Sequence, residues 1–332
     1  MSVRVTPIGA AEGEQQAETL RSGAVRGNYF HRIARETIVV LYADRWTLHF
    51  DSGEGTPVER RAFSGSGAVR IEIDPLHAYA IENDGGAELH VFAAGNASDR
   101  EPRVLVEPMT RIAGVDGTRR GWIAMIKDAG ALEARMLMSD EELLALFNAC
   151  AVVAIDTPIG LAESGPRSCD HHARRFLGKR SSSVFPAPLR PLLALRDYAE
   201  ANKVARDLQK RGISKQGFAI VPKVAQVDRL LQRHRQLRGR VYEVHPEVSF
   251  AAWNEGEAIE ESKHSKEGLA ARRALAEAHF GTLPPVPKYA QENDLLDATA
   301  ALWTAERILG GRSRELGDAR ADLTGLPMRI VY

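Results

Sequence analysis

Lysine is missing altogether from the first 108 residues of this 332-residue chain, where 11 arginines face 16 acids and leave a net of 5 negative charges. A basic footprint for a polyanion must therefore be sought later in the chain. Cysteine is nearly absent. Cys150 and Cys169 alone exclude a disulfide framework and a cysteine-based zinc site. No run approaches the roughly 18 to 20 apolar residues that a bilayer span requires. The opening Met-Ser-Val-Arg-Val-Thr-Pro lacks the apolar core of a signal peptide, so a reducing cytoplasm is the expected location. What is present is ordinary for a globular protein, 44% apolar and 27% charged, with length enough for two domains. The net charge of zero hides a segregation: residues 167–240 hold 18 Lys or Arg against 5 Asp or Glu. Such an excess suits a nucleic-acid partner, or equally the solvated faces of long helices.

Periodicity divides the chain. Residues 1–95 read as β-structure: Glu36–Phe50 is rich in β-branched and aromatic residues, turns fall at Gly53–Gly55 and Gly65–Gly67, and Val69–Ile73 alternates. Short strands at this spacing predict a sandwich or small barrel. Residues 96–110 read as a linker, and 111–332 as an α/β domain. In the latter a hairpin (Ile112–Asp116, Trp122–Lys127), a third strand near Leu132–Leu137, a helix over Asp140–Ala149 capped by Ser139, and a buried strand Val152–Asp156 follow in order. Strand, strand, strand, helix, strand is the order of a ribonuclease-H-like core. Helices are expected over 168–178, 191–211, 222–237 and 294–309, and a strand over 240–245.

Acids recur at the ends of these elements. Asp116 closes Ile-Ala-Gly-Val-Asp-Gly-Thr, Asp156 closes Val-Val-Ala-Ile-Asp-Thr-Pro, and Glu243 lies in Val-Tyr-Glu-Val-His-Pro-Glu. Asp294 and Asp297 share one helical face at i and i+3. Singly, each has a plain alternative: Asp-Gly is a common hairpin turn, Asp-Thr-Pro an Asx turn, and acids favour helix N-termini. Together they form a candidate catalytic cluster. Like charges brought close raise one another's pKa unless a cation neutralises them, and an all-oxygen site suits Mg2+ or Mn2+. Asp116, Asp156 and Asp297 are expected to hold two divalent ions, the usual device for hydrolysing phosphodiesters, with Glu243 and Asp294 completing the cluster. Arg174, Lys179, Arg180 and Lys223 are the candidate phosphate-binding residues.

The motifs Gly114-Val-Asp-Gly with Gly121-Trp122, Ile155-Asp-Thr-Pro-Ile-Gly-Leu, Cys169-Asp170 with Ala173-Arg174, Ser182-Ser-Val-Phe-Pro, Tyr242-Glu-Val-His-Pro-Glu and Asp294-Leu-Leu-Asp-Ala together resemble domain-of-unknown-function family 429 over about 111–310. That resemblance implies a ribonuclease-H-like fold and a metal-dependent nuclease, with Asn293 standing where the family often has an Asp.

The stretch Arg26-Gly-Asn-Tyr-Phe-His-Arg, then Glu36, then Ile73-Asp-Pro-Leu-His-Ala-Tyr-Ala-Ile-Glu-Asn resembles a cupin of the kind found in sugar-nucleotide isomerases. His31, Glu36 and His77 are the candidate ligands of a transition metal there. Tyr29 and Tyr79 stand where the pattern has histidines, which favours a degenerate cupin that binds a ligand or forms a homodimer. The expectation is thus a cytoplasmic α/β protein, a ribonuclease-H-like mixed sheet behind an all-β cupin-like barrel, acting as a divalent-metal nuclease. Its rivals are a non-catalytic small-molecule sensor that binds polyanion and, from the Asp-Gly-Thr hairpin, an actin-like phosphotransferase.

Overall fold

The computed structural model describes residues 4–6, 15–94 and 100–332. The chain divides into two compact units, Met1–Met109 with Arg235–Arg240, and Thr110–His234 with Val241–Tyr332.

The described residues of the first unit are β-structure, apart from a 3-10 turn at Arg235–Leu237. Its strands are β1 (Arg4–Thr6), β2 (Gln15–Leu20), β3 (Val25–His31), β4 (Glu36–Tyr42), β5 (Trp46–Phe50), β6 (Glu59–Phe63), β7 (Gly67–Ile73), β8 (Tyr79–Glu82), β9 (Leu89–Ala94) and β10 (Arg100–Pro102). They form two antiparallel five-stranded sheets, β1-β7-β4-β9-β2 and β10-β3-β8-β5-β6. The apolar run over 36–50 is broken between β4 and β5, because Asp44 turns the chain by accepting bonds from the amides of Arg45 (2.8 Å) and Gly86 (2.7 Å). The chain thereby switches sheets. Inward-facing Ile38, Val40, Trp46, Leu48, Ile71, Tyr79, Ile81 and Val91 make the core, and Trp46 stacks on Phe63 with centroids 4.2 Å apart. At Gly27 the β3–β8 register slips, with φ +105° and no room for a Cβ, which would fall 2.5 Å from the Tyr79 carbonyl oxygen.

Residues 100–106, expected as linker, are bound into this unit. β10 pairs with β3, and Asn28 Oδ1 accepts from the amides of Leu105 (2.9 Å) and Val106 (3.1 Å). The remainder of the expected linker at 96–99 lies outside the described residues.

The second unit is built on one mixed sheet. β11 (Ile112–Gly117), β12 (Trp122–Asp128) and β13 (Ala131–Leu137) are antiparallel, while β14 (Val152–Ile155) and β15 (Val241–Glu243) run parallel to β11. The order across the sheet is β13-β12-β11-β14-β15. The helices are α1 (Asp140–Ala149), α2 (Ser168–Leu177), α3 (Tyr198–Gln209), α4 (Lys215–Ala219), α5 (Val221–Arg233), α6 (Pro246–Trp253), α7 (Lys266–Phe280) and α8 (Glu292–Leu309). α8 lies against β11, β12 and β14, and its Leu295, Leu296, Ala298, Ala301 and Leu302 pack with Ile112, Ala154 and Tyr242 in the main core. Ser139 caps α1 as expected, accepting from the amide of Glu142 at 3.2 Å.

Two expected helices are corrected. The helix over 191–211 is two elements, a 3-10 turn at Arg190–Ala194 and α3, because Asp197 caps a new helix by accepting from the Glu200 amide. The helix over 222–237 stops at Arg233. A C-terminal hairpin, β16 (Glu315–Ala321) with β17 (Pro327–Val331), was not expected, and neither were α6 and α7. Among the described residues, no helix is long and apolar enough to cross a membrane.

Candidate functional site

Register sets the position of the acids. β11 and β14 pair in parallel with Val115 opposite Ile155, and the Asp156 amide continues the ladder to the Val115 carbonyl at 2.8 Å. Asp116 and Asp156, one residue further on, therefore emerge side by side on the same face at the carboxyl edge of the sheet. That is the edge where open α/β sheets place ligands. It is also the face covered by α8, which brings Asp297 to the same place. A cleft of about 590 Å³ opens here, with Asp116, Asp156, Arg180, Lys223, His245, Glu247 and Lys263 among its walls.

The cluster is short of positive charge. Asp116 is 7% exposed and Asp297 1%. Burial, then the charges of Asp297 and Asp156, hold the Asp116 carboxyl well above the usual range. Burial also raises the Asp156 carboxyl, against the pull of His245 and Lys263. Asp297 is raised to about 6, by burial first, with Lys263 opposing. The Lys263 ammonium lies 2.6 Å from Asp297 Oδ2, and despite burial these acids hold it above its ordinary range. Asp297 Oδ1 is buried without a hydrogen-bond partner. An orphaned, buried carboxylate oxygen amid mutually repelling acids suits a hard divalent cation. Among the described residues, however, no three His, Cys, Asp or Glu side chains already stand in a metal-binding arrangement. The acids are gathered around the lysine.

Glu243 and Asp294 are employed differently. In the β14–β15 register Glu243 is opposite Ile155, so its side chain leaves the sheet on the face opposite to Asp116 and Asp156, yet with Arg167 and Asp170 it lines the same cleft. There Arg167 grips it with two bonds of 2.6 and 2.8 Å, bonds Asp170 at 2.6 Å, and donates to the carbonyls of Ile159 and Gly160. Burial pushes the Glu243 carboxyl up to about 7 against the opposing pull of Arg167. The bidentate geometry and the extra bond from the Ile159 amide (2.6 Å) nonetheless favour the ionised pair. Asp294 forms a capping box on α8, accepting from the Gln291 amide at 2.9 Å, and reaches Asp116 only through its charge.

The acid that does join the cluster is Glu247. Pro246 starts α6 and puts Glu247 in its first turn, where both carboxylate oxygens take bonds from Arg272 Nη2 at 2.9 and 2.8 Å. Sequence reasoning missed Lys263, His245 and Arg272 as well. Lys263 carried no signal, being one lysine in a polar loop, but His-Pro-Glu at a strand end marked a helix start with an acid in its first turn.

The expected phosphate-binding residues separate. Lys223 and Arg180 line the cleft; Lys223 lies 4.3 Å over the Trp122 ring, and burial lowers its pKa. Arg174 is turned to the Val184 carbonyl (2.9 and 2.7 Å), and Lys179 pairs with Glu260 on the open surface.

In the first unit, Glu36 and His31 meet, with His31 Nε2 3.3 Å from Glu36 Oε2 and both side chains buried. Glu36 also takes bonds from Tyr29 (3.1 and 3.2 Å) and Arg100 (3.0 Å), with Arg26 at 3.7 Å. The Tyr29 and Tyr79 hydroxyls are 2.6 Å apart. Glu36 is thus neutralised by arginines, and the His77 ring lies 3.0 Å from the Pro75 carbonyl.

No curated protein matches the chain. Among solved structures it is similar to the capsular polysaccharide assembling protein CapF from Staphylococcus aureus (17% identity, TM-score 0.26, 30% of each chain). It is also similar to a dTDP sugar isomerase from Desulfovibrio desulfuricans (12%, TM-score 0.25, 31% of this chain and 81% of that one). A third similarity is to the 3,4-ketoisomerase QdtA from Thermoanaerobacterium thermosaccharolyticum (10%, TM-score 0.24, 30% and 86%). The chain spans about 30% of the length of CapF. Residues 114–321, which hold the whole acidic cluster, match the family described as "Protein of unknown function (DUF429)". The chain belongs to the DUF429 family.

Proposed function

We propose that the second unit is a ribonuclease-H-like domain acting as a divalent-metal-dependent phosphodiesterase on nucleic acid. The observation that carries this reading is the convergence of Asp116, Asp156 and Asp297, from two parallel strands and one helix, around a single ammonium, with Asp116, Asp156 and that ammonium opening on one cleft. Three antiparallel strands, a helix and a parallel strand, in the spatial order β13-β12-β11-β14-β15, support the fold assignment. In the reaction water attacks phosphorus, one P–O ester bond breaks, and a phosphomonoester and an alcohol result. Asp116, Asp156 and Asp297 would hold Mg2+ or Mn2+, which would supply Lewis acidity towards a phosphoryl oxygen and a more acidic water. Lys223 and Arg180, which line the cleft, would bind phosphate oxygens there. Lys203, Arg206, Lys210, Arg211 and Lys215, all exposed, offer a basic surface on α3, α4 and the turn between them for the flanking strand.

The test is incubation of the whole protein with single-stranded and duplex DNA and RNA, with Mn2+ or Mg2+, beside Asp116→Asn and Asp156→Asn. Cleavage that disappears in both variants and with chelator supports the reading; cleavage that persists in both rejects it. The second reading, a polyanion-binding module without turnover, draws on Lys263, which already partly neutralises the acids. It predicts nucleic-acid binding indifferent to chelator and to Asp116→Asn.

A further inference from the structure

Lys263 is a fixed part of the cleft rather than a surface lysine that happens to reach it. It sits in Glu261-Ser-Lys-His-Ser, immediately before α7, and Ser265 at the end of that loop caps the helix through the Gly268 amide at 3.0 Å. The buried Arg272 guanidinium clasps the same loop, donating to the carbonyls of Glu261 (3.2 Å) and Gly268 (3.0 Å) while its other nitrogen holds Glu247. A Cβ on Gly268 would fall 2.0 Å from the Ser262 carbonyl oxygen, so helix and loop are in direct backbone contact there. The ammonium is consequently delivered to Asp297 by a braced backbone.

Charge then limits what else the cluster accommodates. Three carboxylates face one ammonium, while Glu247 is matched by Arg272. With all three ionised, as metal ligands must be, two positive charges are still wanting, the amount one divalent ion carries. Asp297 shows the division within a single side chain: Oδ2 is bound by Lys263, and Oδ1 is buried with no partner. We propose that Lys263 permanently fills one of the two cation positions around Asp116, Asp156 and Asp297, so that the site takes up one divalent ion rather than two. The proposal rests on the metal-dependent reading above. Lys263 is in this account a positioning residue that orders Asp297 and supplies the charge of the missing second ion. A second ion would have to lie close to a fixed ammonium, where like-charge repulsion opposes its binding.

Titration calorimetry of the full-length protein with MnCl2 alone decides the matter, with ions bound elsewhere subtracted using the Asp156→Asn/Asp297→Asn double variant. The expected result is one Mn2+ per wild-type chain, one for Lys263→Arg, and two for Lys263→Met and Lys263→Gln. Thermal melts identify folded variants, and the two neutral replacements guard against loss of one of them. Two ions in the wild type overturn the proposal while leaving the metal-dependent reading intact; so does one ion in a folded neutral variant. No ion in the wild type overturns both.

Discussion

Gly114 and Ala298 are in backbone contact: a Cβ added to Gly114 would fall 2.1 Å from the Ala298 carbonyl oxygen and 2.1 Å from the Leu302 amide nitrogen. Gly114 is two residues before Asp116 on the same face of β11, and Ala298 follows Asp297. The absence of one methyl group therefore lets α8 approach closely enough for its aspartate to meet that of the strand. Gly114→Ala should destabilise the second unit by about 3 kcal/mol or more, since overpacking here pushes backbone rather than a flexible side chain. Urea unfolding measures this, and a loss below about 1 kcal/mol would contradict the close approach.

The metal-free protein should lose stability as pH rises. Asp297 titrates near 3.8 when unfolded and is raised to about 6 when folded. Asp116 is shifted in the same direction. Groups raised in this way favour the folded state most fully below pH 4, and the advantage disappears as pH climbs through 6 and beyond. For Asp297 alone this is about 3 kcal/mol at most. Melting curves from pH 4.5 to 8 should show the decline, and Mn2+ should reduce it; a melting temperature that climbs across this range without metal would contradict it.

Removing Arg167 should unfold more than it inactivates. Arg167→Met strands the buried Glu243 and Asp170, at a cost of about 3–5 kcal/mol. Glu243→Gln should keep most of the cleavage activity, because that side chain, although it lines the cleft, has both oxygens held by Arg167. Asp156→Asn should abolish it. Parallel stability and cleavage assays separate the two, and equal losses of activity in Glu243→Gln and Asp156→Asn would place Glu243 in the chemistry after all.

The two lysines proposed from sequence as phosphate binders should behave oppositely. Lys223→Ala should raise KM for nucleic acid several-fold, the effect shrinking as salt rises. Lys179→Ala should be neutral, its surface pair with Glu260 being worth little. Steady-state kinetics at two salt concentrations checks both.

Strand ends were legible because an apolar run that stops at Asp-Gly or Asp-Thr-Pro declares its own boundary, and so Asp116 and Asp156 could be read directly. Asp297 was legible from its helix. What distinguishes Glu243 from Glu247 was not, since it depends on the parity of a register fixed by tertiary pairing. Lys263 was illegible for a similar reason: Arg272 and Gly268 aim it, and neither is marked locally. α6 and α7 were overlooked because α6 is buried nearly all round and α7 has only a narrow apolar stripe, so neither shows a strong amphipathic period.

The parallel pairing of Val115 with Ile155 has one last consequence. The spacing of Asp116 and Asp156 is metered by peptide hydrogen bonds, with no side chain intervening. Apolar residues of β11 and β14 can therefore drift among Val, Ile, Leu and Ala without altering the gauge of the acid pair, whereas a single insertion or deletion in either strand rotates one carboxylate to the opposite face. Exchange among these apolar residues, Gly114 apart, leaves the acid pair in place; a change in strand length is a loss of the site.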